Sequence, residues 1–206
     1  MIDTWDAGAL RGTASHDYQV ADLFVPENHA SSGRFSLRSG PLYALPHQTA
    51  FCVPIAAVPL GIARAALDGV RELSISKTAR ISPTLLREKP VVQGAVGRAE
   101  AMLRAARAFL FEACEDVWST AASGAELTLE QRAAVRLACA QVADAAKSVV
   151  QIAYDIGGGT SVCESCPLQR CFRDMYAAVQ HVQVRGGNFE MVGRVLLGME
   201  PGTTIL

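Results

Sequence analysis

Apolar residues recur at steps of three and four along most of this chain, which is the spacing of one face of an α-helix. The clearest repeat predicts a helix over residues 91–123. Its apolar face comprises Val92, Val96, Ala99, Leu103, Ala106, Leu110, Ala113 and Val117. A similar repeat predicts a helix that runs to about residue 156, with a face of Ala138, Val142, Ala145, Val149 and Ile152. The pattern therefore indicates a mostly helical protein.

Local end signals place two further helix starts. Thr128 and Gln131 have the spacing of a capping box, in which the threonine caps the first amides and the glutamine reaches back. Pro167 suits the first turn of a fourth helix over residues 167–182. Asn188 is a good N-cap for a short last helix over residues 188–197.

The first long helix is predicted over residues 47–77. Pro54 and Pro59 lie inside its apolar pattern, so we expect a kink or a broken start. A loop over residues 78–90, which contains Pro83 and Pro90, leads to the second helix.

The N-terminal segment has a different character. Residues 1–26 are predicted to be β-structure, since residues 17–25 mix β-formers and apolar residues between a turn and Pro26. Residues 27–45, rich in Ser, Gly and Pro, are predicted to form a loop. Two or three strands are too few for an independent domain. We therefore predict an up-and-down four-helix bundle over residues 46–206, preceded by a short β remnant and loop over residues 1–45.

Composition narrows the class of protein. Half of the residues are hydrophobic, 19% are charged and the net charge is −1, which gives no electrostatic case for nucleic-acid binding. No run approaches about 20 uninterrupted apolar residues, and the N-terminus lacks the layout of a signal peptide, so we expect a cytoplasmic protein away from membranes. The Ala-rich, weakly charged helices predict apolar faces buried between subunits of a homo-oligomer.

The six cysteines do not predict a metal site. Cys163 and Cys166 have C-x-x-C spacing, but a structural zinc site needs four ligands. The nearby completions, Cys171 and His181, both lie on the predicted fourth helix. A redox dithiol of the thioredoxin kind would need a preceding βαβ pattern, which is absent from the sequence.

The predicted fourth helix carries a candidate site. At 100° per residue, Phe172, Met175, Val179 and Val182 fall on one side. The opposite side comprises Arg170, Asp174, Ala177 and His181. His181 is then either a general acid/base or hydrogen-bond donor, or a solvated histidine near a helix C-terminus.

Three consecutive glycines end the preceding helix. Gly157, Gly158 and Gly159 are compatible with a backbone nest for an anion such as pyrophosphate and with a simple helix C-cap. They do not form a G-x-G-x-x-G fingerprint after a strand, which excludes a dinucleotide-binding interpretation of that kind.

Two motif clusters resemble one family. The first comprises Trp5, the stretch Gly8-Ala9-Leu10-Arg11-Gly12-Thr13-Ala14-Ser15-His16-Asp17, and Phe24-Val25-Pro26. The second comprises the three glycines, Pro167-Leu168-Gln169-Arg170, Phe172-Arg173-Asp174, His181 and Leu196-Leu197-Gly198. Together they resemble acyl-CoA dehydrogenase-fold flavoproteins. The Ser-His-Asp version is similar to the two-component flavin-dependent monooxygenases that act on 4-hydroxyphenylacetate, seco-steroids and dibenzothiophene.

The resemblance implies a C-terminal bundle that forms a dimer or a tetramer. It implies a flavin cofactor, FMN or FAD, which a separate flavin reductase supplies in reduced form. It also implies a small apolar or aromatic substrate. Full members have a helical N-terminal domain and a complete β-domain, so the chain is expected to contribute only part of the pocket.

The resemblance assigns roles to the candidate residues. Gln151 and Gly157 to Gly159 match the family's glycine motif for a flavin held by a neighbouring subunit. His181 falls where the monooxygenases carry an active-site histidine, which is thought to assist formation or use of the flavin hydroperoxide. Arg170 and Asp174 are implied to shape the same cofactor site. The glycines and His181 are thus expected to form one flavin-facing corner.

The function implied by the resemblance is that of the C-terminal portion of a flavin-dependent, monooxygenase-like oxidoreductase. Two alternatives stay open. The first is a non-catalytic, truncated oligomerisation module of the same fold. The second is acyl-CoA dehydrogenase-like oxidation, although that chemistry uses a carboxylate base and no glutamate stands at His181.

Overall fold

The computed structural model describes residues 1–30, 38–79 and 82–202. Six α-helices lie in these residues, and the first is a single turn. They are α1 (Pro41–Ala44), α2 (His47–Ser76), α3 (Pro90–Ala122), α4 (Leu129–Gly157), α5 (Pro167–Ala178) and α6 (Gly187–Leu196). Parts of the predicted loops 27–45 and 78–90 fall on residues 31–37 and 80–81, outside the described residues.

Helix α4 is the centre of the bundle, because it packs against α2, α3, α5 and α6. Fourteen of its residues are buried, more than in any other helix described here, and most of them are Ala or Val. Small side chains allow neighbouring helices to approach α4 closely. The predicted helical bundle is confirmed.

The apolar repeats identify the core faces of α3 and α4. Seven of the eight residues predicted for α3 are buried, and Val96 is half-buried against the core. On α4, Ala138, Val142, Ala145 and Val149 are buried, and Ile152 packs on their rim. The period of 3.6 residues alone therefore locates the inner faces of both helices.

The predicted capping box at the start of α4 is present. The Gln131 backbone N–H donates to Thr128 Oγ1 at 3.2 Å, and the Thr128 N–H donates to Gln131 Oε1 at 3.1 Å. The Gln131 amide also donates to Asp116 and Thr120 of α3. The cap therefore joins α4 to the end of the helix before it.

Pro54 and Pro59 do not break α2, which the structure assigns as one continuous helix of 30 residues. Each proline removes one backbone donor, but packing in the core outweighs that loss. Ala56, Ala63, Leu67 and Val70 of α2 are fully buried among residues of the other helices.

Helix α2 is also long and apolar enough, with a mean hydropathy of 1.8, to meet the length and composition of a membrane span. The core helix of a globular bundle meets the same criterion. In this chain the inner face of α2 packs on α4 and α5.

The predicted β-structure at the N-terminus is corrected by the structure. Among the described residues this segment contains one isolated antiparallel bridge, between Ile2 and Asp17, and no strand. Residues 18–25 run over the surface without a neighbouring strand to pair with, and an unpaired strand is unstable. Leu10, Ala14 and Asp22 adopt left-handed backbone conformations, with φ of 44–51°, which interrupts an extended run.

Candidate functional site

Arg170 and Asp174 line one cavity, as their spacing on one helix face predicts. The cavity has a volume of about 340 Å³, which is within the range of small-molecule sites. Its other walls are the N-terminal residues Gly8 to Thr13 and Arg173. The two motif clusters of the sequence, far apart along the chain, therefore meet at this place.

Two hydrogen bonds hold the N-terminal segment on α5. The Leu10 backbone N–H donates to Asp174 Oδ1 at 2.8 Å, and Arg173 Nη1 donates to the Gly8 carbonyl at 3.2 Å. Asp174 is therefore an anchor for the N-terminal segment, and Arg170 is exposed at the cavity wall. The cavity is lined by one carboxylate, that of Asp174, and by three arginines, Arg11, Arg170 and Arg173. This excess of positive charge suits an anionic group.

The glycine triplet lies at the start of the loop that joins α4 to α5. Gly157 is the last residue of α4, and Gly158 follows it with φ 53°, while its N–H bonds to the carbonyls of Tyr154 and Asp155. The triplet therefore forms a helix C-cap. Gly158 and Gly159 are exposed, and a Cβ on either would meet nothing within 4 Å. Their backbones are thus open to close approach by a bound group.

Lys77 holds this glycine segment, a role that no local sequence pattern indicates. Its ammonium donates to the Gly157 carbonyl and, at 2.6 Å, to Thr160 Oγ1. The cation lies at the C-terminal end of α4, where the helix dipole favours positive charge. Lys77 follows the last residue of α2, so it ties the end of one core helix to the end of another.

We expect Lys77→Met to destabilise the protein by about 1–2 kcal/mol, because two hydrogen bonds from a charged donor are lost. Urea denaturation measures the change. The matched control is Lys147→Met, since Lys147 makes a surface ion pair with Asp144 at 3.5 Å and such pairs contribute about 0.5 kcal/mol. Equal destabilisation by the two variants would show that the Lys77 contacts add nothing special.

Gln151 lies one and a half turns before the glycines, on the same helix. Its amide nitrogen donates to Asp155 Oδ1 at 2.8 Å, and its carbonyl oxygen accepts from the Tyr176 hydroxyl at 3.3 Å. Phe172 lies between Tyr154 and Tyr176, with both ring pairs tilted and the centroids 4.4 and 4.7 Å away. Gln151 therefore borders a partly exposed aromatic surface that joins α4 to α5.

His181 is not on a helix, which corrects the predicted extent of the fourth helix. Helix α5 ends at Ala178, and His181 lies in the turns that lead to α6. The core face of α5 also differs from the predicted one, since its buried residues are Leu168, Cys171, Met175 and Ala178. The alignment of His181 with Arg170 and Asp174 along one helix face is therefore wrong.

The surroundings of His181 are aromatic on one side and open on the other. Its ring is tilted against Phe51 with centroids 6.3 Å apart, and Phe51 stacks on His47 at 5.6 Å. Nδ1 of His181 accepts from the Gln183 backbone N–H at 3.2 Å. The residue is exposed, so Nε2 is free of the bond that engages Nδ1 and available to an outside group.

The glycines and His181 do not form one corner of this chain. Gly157 and Gly69 of α2 both lie against Leu168, since a Cβ on either glycine would touch that side chain. His181 lies against Phe51 instead. Gly69 and Phe51 lie five turns apart on α2, which is about 27 Å. The expected single corner is corrected to two separate regions at opposite ends of α5.

A largely apolar cavity of about 410 Å³ lies between the start of α2 and the end of α3. Its walls include Val53, Phe111 and Trp118. Val53 and Phe51 are two positions apart on α2 and hence point to nearly opposite sides. The cavity is therefore on the side of α2 away from His181.

The residues at these regions suit a flavin nucleotide, which combines a flat ring with phosphate. Arg11, Arg170 and Arg173 border a cavity that can receive an anionic group, and the exposed amides of Gly158 and Gly159 are further donors. His181 is exposed, and its Nε2 can donate to a polar atom of the flavin ring. These are separate partial sites.

Comparisons with known proteins identify the family of this chain. Residues 53–186 match the family model described as acyl-CoA dehydrogenase, C-terminal domain. Indole-3-acetate monooxygenase of Pseudomonas putida is 34% identical over 204 residues, which cover 97% of this chain and 51% of that protein. The putative acyl-CoA dehydrogenase YdbM of Bacillus subtilis is 33% identical over 183 residues, 87% of this chain and 44% of that protein.

A solved structure extends the similarity to three dimensions. The structure of XiaF from Streptomyces sp., in complex with FADH2 and glycerol, superposes with a TM-score of 0.89 at 25% identity. The match covers 99% of this chain and 54% of that one. The chain thus spans about half the length of the relatives that it matches.

Proposed function

Because this chain belongs to the acyl-CoA dehydrogenase C-terminal domain family, we propose that it is the C-terminal portion of a flavin-dependent monooxygenase. The observation that carries the proposal is the 34% identity, over 97% of the chain, to a relative named as a monooxygenase of indole-3-acetate. The proposed substrate is a small aromatic compound, and indole-3-acetate is the first probe.

A bound reduced flavin would supply the electrons that activate molecular oxygen. FADH2 is present in the similar XiaF structure. The residues of this chain would bind and orient it. Arg170 and Arg173 would pair with phosphate, because guanidinium groups bind phosphate through paired N–H donors. Gly158 and Gly159 would offer backbone amides without side chains in the way.

His181 would act at the reacting end of the site. His181 is exposed and its Nδ1 is engaged by a backbone N–H, so Nε2 can donate a hydrogen bond to the reacting group. Phe51 beside it would exclude water from one face of the imidazole.

The separation of the two regions supports an oligomer. The glycine segment and His181 lie near positions of α2 that are about 27 Å apart, and we propose that each serves a different flavin in a dimer or tetramer. The exposed Phe111 and Trp118 and the weakly charged helix faces supply apolar area for such contacts. A separate reductase would deliver the reduced flavin.

The proposed function is tested by flavin titration of the purified full-length protein, with sedimentation in parallel. We expect binding of reduced FMN or FAD by a folded oligomer, and the same titration decides between the two nucleotides. Replacing Arg170 and Arg173 with Gln is expected to weaken FMN or FAD binding at least about ten-fold. Riboflavin, which lacks phosphate, is the matched ligand whose binding should not change.

Two outcomes of that experiment favour the other functions. A well-folded oligomer that binds no flavin in either redox state would favour a non-catalytic oligomerisation module. Bleaching of bound FAD by an acyl-CoA in the absence of oxygen would favour dehydrogenation, the activity in the name of the 33% identical relative.

A further inference from the structure

A cluster of buried polar side chains lies directly behind His181. Arg136 is 2% exposed, Gln183 4% and Asn188 7%. Burying such groups is costly unless each one is hydrogen-bonded. The cluster spans the first half of α4, the start of α2, the turns that follow α5 and the first turn of α6, so it is built from four parts of the chain.

Gln183 is the centre of the cluster. Its side-chain oxygen accepts from Arg136 Nη1, and its amide nitrogen donates to Gln48 Oε1 at 2.7 Å. The orientation of this amide is determined by chemistry, because a guanidinium only donates and must therefore face the oxygen. The Gln183 backbone carbonyl accepts from Asn188 Nδ2 at 2.9 Å. Side chain and backbone of Gln183 are thus both fixed.

The same residue directs the histidine. The Gln183 N–H donates to His181 Nδ1 at 3.2 Å. In a neutral imidazole one nitrogen accepts and the other carries the proton. A donor held against Nδ1 therefore places the proton on Nε2, which is the nitrogen that the exposed ring can present to a reacting group.

We propose that Arg136 is a positioning residue, which acts through Gln183 to hold His181 in the Nε2–H tautomer. This inference deepens the proposed function and rests on it for its use in catalysis. Arg136 is 2% exposed and bonds to the Gln183 side chain and to the Gln48 carbonyl. Its effect is to fix the peptide whose N–H engages Nδ1, so that the outward nitrogen remains a donor when His181 is neutral.

Asn188 also binds the peptide groups that follow His181. It was expected to cap α6, but the helix begins at Gly187 and the Asn188 side chain donates to the carbonyls of Val182 and Gln183. The first turn of α6 is therefore tied back to the peptide groups that follow His181. These bonds hold the turn beside the ring together with the backbone bonds from Val184 and Arg185 to the His181 carbonyl.

The test is nitrogen-15 NMR of the imidazoles at alkaline pH, where the histidines are neutral. The chain has four histidines, and the His181→Gln variant identifies the signals of His181. We expect the Nε2–H tautomer to dominate in the unaltered protein. A dominant Nδ1–H tautomer there would overturn the proposal without recourse to any variant.

The variants separate positioning from mere folding. In Arg136→Met we expect the ratio of Nε2–H to Nδ1–H tautomer at His181 to fall about five-fold, the effect of one ordinary hydrogen bond. Gln183→Glu keeps an acceptor for Arg136 and should retain the native ratio. Arg132→Met, one turn earlier on α4, is the control for loss of an arginine. An unchanged ratio in Arg136→Met, or an equal fall in Arg132→Met, would overturn the proposal.

This experiment needs no flavin, so its outcome is distinct from that of the proposed function. If no flavin binds but the tautomer ratio follows Arg136, the proposed function fails and the hydrogen-bond relay stands. If flavin binds and the ratio does not depend on Arg136, the relay fails and the proposed function stands.

Discussion

Gly157→Ala is expected to destabilise the protein by about 1–3 kcal/mol, the cost of forcing atoms into a packed site. A Cβ at this position would lie 2.0 Å from Ser161 Oγ and 2.8 Å from Leu168 Cδ1. Neither neighbour has room to move. Ser161 is fully buried and its hydroxyl donates to the Tyr154 carbonyl at 2.8 Å, while Leu168 is 2% exposed in the core.

Gly159→Ala is the matched control within the same triplet. A Cβ there meets nothing within 4 Å, and the residue has no left-handed backbone. Its effect should stay within about 0.5 kcal/mol. The measurement is the urea midpoint of each variant at one protein concentration, because self-association would shift the midpoint. Equal midpoints for the two variants would mean that the close packing around Gly157 does not constrain the fold.

His181→Gln is expected to lower the yield of oxygenated product by about 100-fold, the lower range for loss of a general acid or base. Glutamine keeps hydrogen-bonding capacity but cannot exchange a proton near neutral pH. Flavin affinity should change little, because Arg170 and Arg173, not His181, are proposed to bind the phosphate. The measurement is product formed from indole-3-acetate per reduced flavin consumed.

His47→Gln is the control for that experiment. His47 stacks on the same Phe51 ring that contacts His181, so it shares the surroundings without the proposed role. We expect it to retain most of the product yield. Equal losses in the two variants, or a normal yield with His181→Gln, would show that His181 does not take part in the reaction.

The long helices could be predicted from the sequence because their signals are local. The repeat in α3 and the capping box at Thr128 need only neighbouring residues, and the structure places α3 at Pro90–Ala122 and α4 at Leu129–Gly157. The family resemblance came from short motifs whose residues lie close together on the chain. It could be stated before any contact between them was known.

The strand and the helix end could not be predicted because their signals are tertiary. A strand over residues 17–25 needs a partner strand, which the described residues do not supply. Helix α5 ends at Ala178 although the apolar spacing continues, because Gln183 and Asn188 form a buried network with Arg136 beyond it. That network displaces His181 from the predicted helix face.

The contact of Lys77 with Gly157 was equally out of reach of local patterns. The two residues are 80 positions apart, and a lysine at a helix end is typical of a solvated surface. The separation of the glycine segment from His181 also depends on how α5 lies along α2. Only the fold shows that the glycine segment and His181 lie in different regions.

Oxygen isotope incorporation measures whether this chain is part of a flavin-dependent monooxygenase. The full-length protein is mixed with reduced flavin, indole-3-acetate and ¹⁸O₂, and the product is analysed by mass spectrometry. We expect one ¹⁸O atom in the product from labelled oxygen gas and none from labelled water. A product without label from ¹⁸O₂, or oxidation of the substrate in the absence of oxygen, would contradict this expectation.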